Sequence, residues 1–242
     1  RDEPDPARGD PAASKGSLPS TDPLVPVLAR ITSGGRVDYG EVARHRAVLE
    51  AWLAAAAKAD LAKATRAPKL AFYINAYNVS VLIQVLDRVI GKGPGGKDLA
   101  GVLAVPGNPG FFDTRSVRVA GRLLSLNELE AKGRALGDPR IHFAVNCASV
   151  SCPALLNRPW VAATLDKDLD EATRRYFASR EGLRVEAGKV EVTRLLDWYA
   201  KDFGGKEGAR RFLEKYAPEP ARPAIRRGID GYLTYDWALN KK

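Results

Sequence analysis

The chain has 242 residues, 45% hydrophobic and 28% charged, with a net charge of +9; that is long for one domain, does not require two, and is ordinary globular composition. No apolar run reaches the roughly 18 residues that span a bilayer, and two cysteines are too few for a disulfide-built scaffold. The basic surplus suits an anionic polymer or membrane surface, but the basic residues are interleaved with acids, so specific nucleic-acid binding is not expected.

The first 22 residues, Arg1 to Asp22, are rich in Pro, Asp, Ser and Gly and contain one large apolar residue, Leu18. They read as a disordered linker, with a single domain over 23–242. The chain starts at Arg1 and contains no methionine. Processing of an exported protein, with its signal peptide removed, is the expectation, which places it in the periplasm or cell envelope; an arbitrary cut is the other reading.

A short helix is expected from Leu24, with Asp22 as cap and Pro23 in the first position. A longer helix follows over Glu41 to Ala64. Pro68 marks the entry to a third, Lys69 to Ile90. There Ile74, Tyr77, Val81, Val85 and Val89 share one face, and Phe72, Val79 and Ile83 lie opposite. A helix apolar on nearly all sides is a central, buried one. Four glycines and a proline in Gly91 to Gly96 end it. Two stretches alternate around Ala-Gly and read as hairpins, Ser116 to Ser125 and Leu183 to Val192. Ile141 to Val145, preceded by Asp138-Pro139, reads as a buried strand. Further helices are expected at Leu126 to Leu136, Leu165 to Ser179, Arg194 to Phe203 and Lys206 to Tyr216. The fold class is α+β, a central buried helix packed on a small antiparallel sheet.

The chemistry concentrates between Asp138 and Pro153, which hold His142 and both cysteines, Cys147 and Cys152. Three readings stay open: a Cys147–Cys152 disulfide, a Cys147 nucleophile with His142 as base, or buried thiols without a role. On a continuous strand His142 and Cys147 point to opposite faces, so a Cys-His pair needs the strand to end or bulge. Zinc is not expected, because two cysteines and one histidine lack a fourth ligand and the usual spacing. Asn78 falls on the apolar face of the central helix, where a buried amide either pins a loop or orients a site. Ser125 and Glu128 form a capping-box pattern, with Glu128 free to double as a site carboxylate. Trp198-Tyr199 and Asp236-Trp237 read as core or rim aromatics, and Asp197 and Asp202 as surface or capping groups.

Leu70-Ala-Phe-Tyr-Ile-Asn-Ala-Tyr-Asn78, Ser125-Leu-Asn-Glu-Leu-Glu130, Asp138 to Pro153, Leu195-Leu-Asp-Trp-Tyr199 with Asp202-Phe-Gly, and Tyr235-Asp-Trp-Ala-Leu-Asn240 occur in this order. Together they resemble the family catalogued as domain of unknown function 547. The resemblance implies a fold similar to the papain and transglutaminase-like thiol enzymes, which carry their nucleophile at the start of the central helix. Here that helix has Asn75 and Asn78 and no cysteine. The position after Glu130, often histidine in the family, is Ala131.

The leading expectation is a thiol-dependent hydrolase or transferase acting on amide or thiol compounds without a cofactor, its ligand a small thiol or a peptide-like molecule. Cys147 would be the nucleophile, His142 the base and Asn78 or Glu128 the orienter, with Asn75, Asn146, Ser151 and Cys152 toward the substrate. The rival is a non-catalytic envelope module stapled by a Cys147–Cys152 disulfide and binding an anionic partner.

Overall fold

The computed structural model describes residues 17–108 and 110–242. Most of the expected linker, residues 1–16, lies outside the described residues. Its last part packs on the domain: Leu18 lies against the main core, and the Trp52 indole N–H donates to the Ser20 carbonyl at 2.9 Å. The domain's contacts therefore begin before residue 23. A chain starting at Pro23 should melt roughly 2–12 °C below one starting at Ser17, because it loses an apolar contact and an indole acceptor worth about 1–3 kcal/mol together. Equal melting temperatures by calorimetry would show that these contacts add nothing.

Helix α1, Leu24–Ile31, buries Leu24, Val27, Leu28 and Ile31, the spacing of one helical stripe. A two-residue hairpin, β1 (Thr32–Ser33) and β2 (Arg36–Val37), turns through Gly34-Gly35. Helix α2, Tyr39–Arg44, is capped by the Asp38 carboxylate, and α3, Arg46–Ala57, follows. The expected single helix over 41–64 is thus two, broken at His45, whose Nδ1 sits 2.9 Å from the Glu41 carbonyl.

Helix α4, Arg66–Arg88, is the central helix, with Pro68 in its first turn. From Leu70 to Val85 every residue except Tyr73 is buried. By length and composition α4 would pass for a membrane span, but 83% of its apolar window is buried inside the protein.

Both Ala-Gly hairpins form, β3 (Val117–Val119) with β4 (Arg122–Leu124) and β5 (Leu183–Glu186) with β6 (Lys189–Val192). Their turn residues, Ala120-Gly121 and Ala187-Gly188, all have positive φ, as a hairpin turn that matches the strand twist requires. Helices α5 (Leu126–Arg134), α6 (Leu165–Phe177), α7 (Leu195–Trp198), α8 (Gly205–Tyr216) and α9 (Arg222–Arg227) complete the shell. A last strand, β7 (Gly231–Tyr232), joins β6 in parallel. The fold is α+β, but the strands form three small sheets rather than one antiparallel sheet.

Two apolar cores result. One surrounds α4 with α1 to α3 and α5. The other gathers Phe143, Tyr176, Phe177, Val192, Leu213 and Ile225 under α6, β6, α8 and α9. The C-terminal tail crosses between them: Val150 and Ser151 donate to the carbonyls of Ala238 and Asp236, and Asn240 N–H to that of Ala148. Gly101 permits this crossing, since a Cβ there would clash with the Trp237 carbonyl oxygen.

Candidate active site

The segment expected as a strand over Ile141–Val145 is a 3-10 helix, Pro139–Phe143. Asp138 caps it by accepting from Arg140 N–H at 3.1 Å, and Pro139 occupies its first position. A short apolar run alone does not separate a strand from a buried helical turn; the cap and proline decide for the turn. His142 is consequently buried, and the chain leaves the turn as a loop, 144–153, against the middle of α4.

Asparagines hold that loop. Asn78 on α4 accepts from Asn146 N–H at 2.8 Å and donates to the Ala144 carbonyl at 3.0 Å. Asn146 Nδ2 donates to the Pro153 carbonyl at 2.8 Å, while its Oδ1 accepts from Ala148 N–H at 3.0 Å and from Asn240 Nδ2 at 3.1 Å. The Ala148 contact fixes a left-handed residue without glycine, φ 65°. Ser151 ties the loop's far end: its Oγ accepts from Asp236 N–H, and its carbonyl accepts from the Tyr176 hydroxyl. Asn78, Asn146 and Ser151 thus position the loop.

Pinned in this way, the two sulfurs lie 2.8 Å apart. A disulfide would measure about 2.05 Å; both cysteines are free. Cys147 Sγ also meets Ser149 Oγ at 3.0 Å and the Tyr235 hydroxyl at 3.3 Å. Burial pushes the Cys147 thiol up, but the hydrogen bonds with Cys152, Ser149 and Tyr235 outweigh it and bring it down to about 7. Burial and the neighbouring Cys147 sulfur drive the Cys152 thiol well above its ordinary value. The pair therefore favours a thiolate on Cys147 and a proton on Cys152.

His142 belongs to a second group in the same cleft. Its Nε2 is 2.9 Å from Asp202 Oδ2, its Nδ1 is 3.9 Å from Glu130 Oε1, and its ring stacks on Tyr199 at 3.9 Å. Burial lowers its pKa to about 4 despite Asp202, so the ring is neutral near pH 7. Arg134 holds Asp202 through two hydrogen bonds, at 2.7 and 3.1 Å. Glu130 is buried; desolvation raises its pKa against the opposing hydrogen bond from Tyr199, and Oε1 has no hydrogen-bond partner. The partners of the Cys147 sulfur and those of the imidazole are two separate sets.

Both cysteines and, of the second group, His142, Glu130 and Tyr199 line one cleft of about 320 Å³ at the seam of the two cores, with Asp202 behind the imidazole. Its walls are mainly aromatic: Tyr77, Phe112, Trp198, Tyr199, Tyr235 and Trp237. Two expected site residues, Glu128 and Asn75, lie elsewhere, and so does the position where relatives often carry histidine. Glu128 is an α5 cap whose carboxylate is taken by Arg115 and the Ser125 N–H. Asn75 is tied to the backbone N–H and carbonyl of Trp160. Ala131 is exposed beside Glu128 and Lys132, away from the cleft, so a side chain lost there removes nothing from it. Glu130, Asp202, Tyr235 and the aromatic wall join the site unexpectedly. Among the described residues no group of three or more His, Cys, Asp or Glu is placed to hold a metal ion.

A buried helix facing a paired-thiol loop, with an aromatic cleft at the seam of two cores, defines an α+β protein with a candidate thiol site. Residues 61–177 match the family model described as protein of unknown function, DUF547, the family that its motifs resemble. The matched span carries α4, α5, the cysteine loop and α6; the aromatic wall from Trp198 to Trp237 lies beyond it. Neither the curated proteins nor the solved structures contain a match.

Proposed function

We propose that the protein is a thiol-dependent enzyme in which Cys147 and Cys152 form a dithiol–disulfide pair acting on small thiol compounds. The observation that carries this is the 2.8 Å contact between the two sulfurs. In the reaction the Cys147 thiolate attacks one sulfur of a substrate disulfide. The substrate's S–S bond breaks, a mixed disulfide forms on Cys147, and the first thiolate leaves. Cys152 then gives up its proton and attacks Cys147 Sγ, forming the Cys147–Cys152 bond and releasing the second thiolate. Two thiols are produced as the protein dithiol is oxidised; a small thiol reductant restores it.

Amide hydrolysis fits less well. An acyl intermediate needs donors for its oxyanion, yet the N–H groups of Asn146, Cys147, Ala148 and Cys152 are spent on Asn78, Cys152 Sγ, Asn146 and Ser149. The imidazole, bound to Asp202 and facing Glu130, is not the partner that activates the thiol. Export would put the pair where disulfides persist. The rival, a module stapled for an anionic partner, demands a permanent bond in the same place.

Iodoacetamide labelling of the native protein, read by peptide mass, decides. Cys147 should label first, with a rate that rises through an inflection near pH 7, while Cys152 stays largely unlabelled. Absence of labelling at either cysteine until reductant is added would sink the enzyme reading and leave the staple.

A further inference from the structure

The cleft is an acidic, π-rich hollow in a basic protein. The chain carries +9, yet among the described residues no lysine or arginine lines the cleft, and the one carboxyl that does is Glu130. Glu130 Oε1 is buried without a hydrogen-bond partner, an uncompensated cost unless a ligand supplies one. The electron-rich faces come from aromatic residues of the same lining. Trp198, Tyr235 and Trp237 pack together with ring centroids 4.7–5.8 Å apart, and Trp198 is 46% exposed. Aromatic faces attract cations, and the Cys147 thiolate adds a second negative group.

From this charge pattern we infer that the cleft takes small disulfides or thiols bearing a primary ammonium group, with Glu130 as the group that recognises the ammonium and the aromatic wall as its cover. The inference rests on the reading of Cys147 as a nucleophile and adds the substrate class.

The groups facing Glu130 support the sign. Tyr77 on α4 contributes a hydroxyl within electrostatic reach of Glu130, Cys147, Cys152 and Tyr199. Tyr199 hydrogen-bonds to the Glu130 carboxyl. His142 is neutral at neutral pH. The cation of the neighbourhood, Arg134, is matched by its bidentate partner Asp202. The local sum is therefore negative once Glu130 ionises. Burial holds that carboxyl protonated to a higher pH than usual, and an incoming ammonium would favour the ionised form. Selectivity for cations should accordingly strengthen as pH rises through the Glu130 titration.

Three thiosulfonate reagents of similar size separate the possibilities. Each transfers its thio group to the Cys147 thiolate as its own S–S bond breaks and a sulfinate leaves with the electron pair. The reagents are methyl (neutral), 2-aminoethyl (cationic) and 2-sulfonatoethyl (anionic) methanethiosulfonate, and each rate is divided by that with free 2-mercaptoethanol. The aminoethyl reagent should then be about tenfold or more faster than the sulfonatoethyl reagent, as local potential of this sign dictates. The ratio should fall several-fold in Glu130→Gln and in Trp198→Ala, the latter a half-exposed site that should tolerate truncation. The methyl rate, measured on each variant, separates any change in the Cys147 thiolate itself from the change in charge selectivity. A ratio near or below one, or a ratio unaltered by both substitutions, overturns the inference while leaving the nucleophile intact. Failure of the methyl reagent to modify Cys147 at all removes the thiol reading itself.

Discussion

A Cys152→Ser chain treated with hydroxyethyl disulfide should stop as a stable mixed disulfide on Cys147, whereas the parent chain should pass through to an internal disulfide with no adduct. The two outcomes differ in intact mass, one gaining a thioethanol group and the other losing two hydrogens. With the sulfurs already 2.8 Å apart, resolution is close to a pre-oriented intramolecular attack, for which effective molarities reach about 10⁵ M or more. No external thiol competes at that level. The companion Cys147→Ser chain keeps only the thiol that burial holds protonated, so it should react at least ~100-fold more slowly at pH 7. Serine is nearly isosteric with cysteine, so both variants should melt close to the parent. If instead both variants melt earlier by the same amount and the parent is inert to the disulfide, the pair is a staple.

Local pattern carries much of the fold. The Ala-Gly turns announce their hairpins because alternation with period 2 and a two-residue turn are contained in ten residues. The central helix shows itself because Leu70 to Val85 is apolar on nearly every side, which no surface helix tolerates. The turn at Pro139–Phe143 was hidden behind its apolar residues, although Asp138 and Pro139 form the start signal of a helical turn. The site divides similarly. Cys147, Cys152 and His142 come close because they are close in the chain. Asp202 and Tyr235 reach the site from 60 residues beyond His142 and 88 beyond Cys147, and nothing local marks such contacts. Glu130 was obscured by its neighbour: Glu128 completes a capping box with Ser125 and drew the role of site carboxylate, while the side chain two residues on turns inward. The signal available was composition, since a carboxylate between the core residue Leu129 and an exposed alanine needs a reason to be buried.

Replacing Asn146 by leucine should be among the most damaging single changes in the protein, and damaging in a way that reaches the thiols. Three groups lose their partner together: the Pro153 carbonyl, the Ala148 N–H and the Asn240 amide. Each orphaned buried group costs about 1–3 kcal/mol, and partial relaxation brings the total to about 3–5 kcal/mol. For a chain of this size that lowers the Tm by roughly 6–20 °C. Ala148 would also lose what fixes its positive φ, so the turn between Cys147 and Ser149 should relax and the sulfur contact lengthen. The labelling rate of Cys147 should then lose its inflection near pH 7, because the hydrogen bonds that lower its pKa depend on that turn. Asn75→Leu is the control. Asn75 also bridges a buried backbone N–H and carbonyl, those of Trp160, so it should destabilise by about 1–3 kcal/mol. Its bonds lead away from the cleft, so the pH profile of Cys147 should be untouched. Thermal melting together with alkylation rate from pH 5 to 9 distinguishes the two variants. An Asn146→Leu protein that melts early but keeps the inflection would mean that the thiol contact is fixed by the tail at Asp236 and Tyr235 rather than by the asparagine network.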